Sequence, residues 1–83
     1  MGKIASVTVV CGDMNFEYTR WIYNIRATQQ HIVAVGVRDT MTEINIIDLD
    51  KMTLRECYVR HDGTYEVICV SDITSIMIVN EVE

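Results

Sequence analysis

The sequence contains no proline and only four glycines in its 83 residues. No proline-rich linker is possible, and no low-complexity stretch, block of like charge or internal repeat divides the chain. Cationic residues are few: seven Lys and Arg stand against twelve Asp and Glu, a net charge of −5. Affinity for long polyanions comes largely from phosphate neutralisation, so non-specific nucleic-acid binding is not expected. Arg20, Arg26, Arg38, Arg55 and Arg60 are dispersed, and folding could still gather some of them. The three cysteines, Cys11, Cys57 and Cys69, are odd in number and form no CxxC pair, so no zinc ligand set is indicated. Apolar runs fall far short of the roughly 20 residues a membrane helix needs. The N-terminus lacks a basic segment followed by an apolar one. The expectation is a cytoplasmic protein without membrane contact, with free and mostly buried thiols acting as small hydrophobes.

What the sequence does have is apolar residues, 49% of the chain. A length of 83 residues suits one domain spanning 1–83. A domain this small buries only about 60% of its unfolded surface. So rich a composition is hard to hide in a thin core, and exposed apolar patches mark interfaces. A homo-oligomer, with a dimer foremost, is therefore expected.

Val, Ile, Thr and Tyr come in short alternating runs separated by turn residues about every ten positions, a β pattern. "KIASVTVVC", "HIVAVGVRD", "TEINIIDLD", "LRECYVR", "TYEVICV" and "ITSIMIV" each read as a strand. The segment 14–27 has two readings. Met14, Tyr18, Trp21, Ile22 and Ile25 fall at helical spacing after a candidate N-cap at Asp13. Thr19, Ile22, Tyr23 and Ile25 form a β-branched and aromatic run that favours strand. The expected fold is all-β and mainly antiparallel: a small twisted meander or SH3-like barrel of six to seven strands, with one short helix within 14–27 as the alternative. Alternation assigns Val7, Val9, Val33, Val35, Val37, Ile44, Ile46, Val59, Ile68, Val70, Ile76 and Ile78 to the core.

His61-Asp62-Gly63 could be mistaken for catalytic residues. Asp-Gly between alternating runs is a hairpin signal, because both residues tolerate the positive φ of a two-residue loop. That loop pairs Arg60 with Tyr65 and Val59 with Glu66. It places Cys57, Val59, Ile68 and Val70 on one face, and Tyr58, Arg60, Tyr65, Val67 and Cys69 on the other. Stacking of Arg60 on Tyr65 is expected in this register. A catalytic His61 would need an orienting partner and a nucleophile, and neither is marked nearby. His31 opens a strand with no partner marked in the sequence. Asp48-Leu49-Asp50 lacks the glycine and further oxygen ligands of a calcium loop and reads as a turn. Ala34 and Gly36 form a small-residue strip that could lie beneath Trp21 or Tyr23.

The segment with the most functional content is Phe16, Tyr18, Trp21 and Tyr23 with Arg20 and Arg26 interleaved. These residues could complete the core, form a protein-interface hot spot, or stack bases and bind phosphate. Phosphate loops, dinucleotide fingerprints, GxSxG, HExxH and paired catalytic carboxylates do not occur.

The end of the chain, "YEVICVSDITSIMIV", resembles the closing strands of SH3-like and Sm-like barrels, with Ser71-Asp72-Ile73 as the turn and Ile76 following. The resemblance covers about the last twenty residues and implies a barrel fold. The N-terminal helix and glycine signatures of Sm proteins are missing, so their RNA-binding residues do not carry over. "HIVAVGVRDTMTEINIIDLDKMTL" is similar to one β-propeller blade.

The functional expectation is a non-catalytic, homo-oligomeric binding module with neither cofactor nor metal. Its size and character are like those of small inhibitor or sequestering proteins of phages and mobile elements. The expected partner is a host protein or a small nucleotide. Contacts are assigned to Arg20, Trp21, Tyr23 and Arg26, joined by Tyr58, Arg60 and Tyr65 from the hairpin. The alternatives are an oligonucleotide- or RNA-binding barrel, and a small enzyme using His31 or His61.

Overall fold

The computed structural model describes residues 3–82. It is all-β and antiparallel, with eight strands among the described residues: β1 (Ile4–Cys11), β2 (Met14–Thr19), β3 (Asn24–Ala27), β4 (His31–Arg38), β5 (Met41–Asp48), β6 (Thr53–Arg60), β7 (Tyr65–Asp72) and β8 (Ser75–Asn80). They form a three-stranded sheet, β2-β1-β8, and a five-stranded meander, β3-β4-β5-β6-β7. The sheets do not close into a barrel, which corrects the barrel expectation and adds at least one strand to the number expected. The segment 14–27 holds no helix: it is strand β2, a turn at 20–23, then strand β3. Of its β-branched and aromatic run, Thr19 and Ile25 lie in strands while Ile22 and Tyr23 fall in the turn.

The core lies between the sheets. Val7, Val9 and Tyr18 of the smaller sheet meet Ile32, Ala34, Ile47 and Leu54 of the larger, with Ile73 from the β7–β8 connection. Burying a side chain such as Leu54 or Ile47 stabilises the fold by roughly 1.5–3 kcal/mol. Ladder registers show which face of the meander this is. Ile32, Ile47 and Leu54 stand in one row, and Ala34, Asn45 and Glu56 in the next. The opposite face carries Val33, Ile46 and Val70 in one row, and Val35, Ile44, Cys57 and Val67 in another.

Sequence alternation chose the wrong face of this sheet. Val33, Val35, Val37, Ile44, Ile46, Val59 and Val70 do not contribute to the core between the sheets, whereas Val7 and Val9 do and Ile76 packs against it. Ile68 and Ile78 are exposed. The physical reason is steric. The inner face holds the small residues Ala34 and Gly36, and Gly36 leaves room for the ring of Tyr23. Tyr23 in turn meets Tyr18 edge-on at 5.0 Å. A row of valines could not accept that ring.

The β6–β7 hairpin also differs in detail. The Arg60 N–H donates to Thr64 O and the Gly63 N–H to Arg60 O, so the loop has three residues, His61 to Gly63. Gly63 alone takes positive φ there, +89°, as a three-residue loop ending in a left-handed residue requires. The pairs become Val59–Tyr65, Tyr58–Glu66 and Cys57–Val67, and a bulge then restores Glu56–Cys69. The β7–β8 turn falls at Ile73-Thr74, after Ser71 and Asp72, which end β7. No helix among the described residues is long and apolar enough to cross a membrane.

Candidate functional site

A cleft of about 770 Å³ lies where the end of the smaller sheet meets edge strand β3. The turn at 20–23 supplies Arg20, Trp21, Ile22 and Tyr23, while β3 supplies Asn24 and Arg26; Lys3 and Glu81 close the rim. The turn is held by backbone bonds: the Arg20 N–H donates to Ala5 O, and the Ile22 and Tyr23 N–H groups both donate to Thr19 O. Four residues assigned from sequence, Arg20, Trp21, Tyr23 and Arg26, therefore line one cleft. Lys3 and Glu81 were missed, because only the β1–β8 pairing brings the chain ends beside residue 20.

Each side chain has a distinct position. Trp21 is 74% exposed and Ile22 72%. The Arg20 guanidinium lies 5.1 Å from the Trp21 ring centroid and is bonded to Glu81. Such a cation–π contact is worth about 0.5–1 kcal/mol at an exposed site. Tyr23 serves as a wall. Its hydroxyl donates to Glu43 Oε2 at 2.8 Å, and its ring covers Gly36. Burial, reinforced by the Glu43 bond, pushes its phenol up to about 12.

The hairpin trio does not come together as expected. The shifted register places Tyr65 beside Val59 and Tyr58 beside Glu66, so Tyr58 and Tyr65 lie on opposite faces. Arg60 binds Glu66 at 2.8 Å instead of stacking on Tyr65. The Tyr65 hydroxyl meets the Cys57 thiol at 3.6 Å.

His31 has a partner the sequence did not mark: Asp48, opposite it in the ladder, with Nε2 to Oδ2 at 3.5 Å. Cross-strand proximity could have suggested it once the β4–β5 hairpin was drawn. Asp48 Oδ1 also accepts from the Asp50 and Lys51 N–H groups, which forms the expected Asp turn. Those donors, the Lys51 N–H above all, hold its carboxyl below the usual range. His61 Nδ1 is 3.4 Å from Thr40 O, a carbonyl. No group of three or more His, Cys, Asp or Glu residues that could hold a metal occurs among the described residues.

Between the sheets lies a polar layer that the sequence did not reveal. Asn45 is fully buried. Its Nδ2 donates to Ala34 O at 3.3 Å, while its Oδ1 has no partner. Glu56 is its ladder neighbour. Burial, then the Glu43 charge, raises the Glu56 carboxyl above its ordinary value.

No family model, curated protein or solved structure matches the chain.

Proposed function

We propose that the protein is a non-catalytic binding module, and that the cleft at residues 20–27 takes a small planar anion of the nucleotide class. The observation that carries this reading is Trp21, which is 74% exposed with a guanidinium against its ring and with Arg26 and Lys3 in the same cleft. An aromatic ring beside cations offers stacking to a base and charge to a phosphate, with stacking worth about 1–3 kcal/mol per base. The cleft falls within the roughly 300–1,000 Å³ typical of small-ligand sites. The chain's charge of −5 favours one small anion over a long polyanion. The carboxylate in the cleft, Glu81, is engaged by Arg20, which supports binding over catalysis.

Trp21 is the sole tryptophan, so its emission reads the site directly. Titration with nucleoside monophosphates is expected to give saturable quenching that weakens with salt and is lost in Arg26→Ala. Absence of quenching at millimolar nucleotide overturns the reading. A saturable shift with a host protein in place of a nucleotide transfers the cleft to the protein-partner alternative.

A further inference from the structure

The two outer faces of the protein differ in character. An antiparallel sheet with one face in water alternates apolar residues inward and polar residues outward. The smaller sheet follows this rule only in part, because Val10, Met77 (60% exposed) and Val79 (47% exposed) also stand on its outer face. Ser6, Thr8, Asn15, Glu17, Thr19 and Ser75 are among its outward positions, set by their registers against Val7, Val9 and Tyr18. The five-stranded sheet does not. Its outward rows hold Val33, Ile46 and Val70, then Val35, Ile44, Cys57 and Val67. None of these belongs to the core between the sheets, although Cys57 is covered by Tyr65 within the same chain and Val33, Val35, Ile44 and Ile46 are half-buried. Toward the β7 edge the exposure is large: Tyr65 58%, Val67 42% and Val70 55%.

We propose that this face is a self-association surface, on which a second copy of the chain packs its own five-stranded sheet, face to face. Area supports this occupant. A folded monomer of 9.5 kDa exposes about 5,000 Å² by area–mass scaling. This chain exposes 5823 Å². The surplus of about 800 Å² belongs to the whole chain, and it is of the size one partner buries in a standard interface. Charge supports it as well. Two copies at −5 each repel, but not across this face. Its outward rows carry Arg26 and Arg55 against Asp48 and Asp72, so the balance is zero and the excess negative charge lies elsewhere. Two such sheets pack about 10 Å apart with their side chains interdigitated. Arg26 belongs to this face as well as to the cleft, and association is therefore read at Ile44, outside the cleft, so that the two outcomes stay distinguishable.

The test is the mass of the full chain in solution, by sedimentation equilibrium, with one variant on each outer face. Wild type is expected to be a dimer at micromolar concentration. Ile44→Lys, at the centre of the apolar face, is expected to weaken association by about thirtyfold or more, the loss expected at an interface hot spot. Thr8→Lys, on the outer face of the other sheet, is expected to leave it unchanged. Should Ile44→Lys fail to fold, a wild-type sample mixing labelled and unlabelled chains decides the matter. Methyl contacts between copies at Val35 and Ile44 support the proposal, and their absence overturns it. A wild-type monomer, or a dimer indifferent to Ile44→Lys, also overturns it.

Discussion

Tyr23 lies against Gly36 so closely that a Cβ on the glycine would stand 2.9 Å from two of the ring carbons. The contact joins the cleft to the core, because the same ring meets Tyr18 edge-on and its hydroxyl holds Glu43. Gly36→Ala is therefore expected to destabilise by about 1–3 kcal/mol, the usual cost of overpacking. That lowers the melting temperature by several degrees in a domain of this size. In a Tyr23→Ala background the same substitution is expected to be neutral or mildly stabilising, since alanine only restricts the unfolded chain. Thermal melts of the four proteins give this coupling directly.

Glu56 makes stability depend on pH in the unusual direction for a carboxylate. Its folded pKa is raised above the ordinary 4.5, through burial and the Glu43 charge. The folded state therefore holds its proton more tightly than the unfolded state does. The stability this confers is present below the ordinary value and is lost as pH rises through the folded one. Glu56→Gln is expected to raise the melting temperature at pH 7, with a gain that shrinks toward zero below pH 4. A gain independent of pH would assign the effect to packing instead.

The three thiols occupy graded environments: Cys69 exposed, Cys11 intermediate and Cys57 buried. Burial also pushes the Cys11 thiol up, and the thiolate is the reactive form. A disulfide reagent at pH 7 is expected to label Cys69 first and Cys11 more slowly. Cys57 should react only on opening, because the Tyr65 hydroxyl sits against it. Tyr65→Ala is expected to speed Cys57 labelling on the order of tenfold, by weakening local protection. Peptide mapping of the labelled protein assigns each rate.

Much of the strand pattern was legible because period-two alternation and turn residues act locally. The Asp48 turn agrees with the sequence reading, and Arg20, Trp21, Tyr23 and Arg26 line one cleft. The inward face of the larger sheet was not legible, because alternation shows that two faces exist but not which one a second sheet will cover. The valine-rich face was the more apolar, yet Ala34 and Gly36 made the other the better receptacle for tyrosine rings. The hairpin register was off by one beside the turn because Asp62 keeps negative φ and only Gly63 turns left-handed. Lys3 and Glu81 depended on β1–β8, a pairing of the chain's two ends that no local signal encodes.

The proposed binding of a small nucleotide-type anion in the cleft around Trp21 can be read at a single side chain. The most direct measurement is the proton–nitrogen NMR spectrum of the full chain, in which one tryptophan gives one indole N–H signal. On adding a nucleoside monophosphate, the predicted result is a saturable shift of that indole signal together with the amides of Arg20 and Arg26, at a common affinity. An indole signal that stays fixed while nucleotide reaches millimolar concentration contradicts the account.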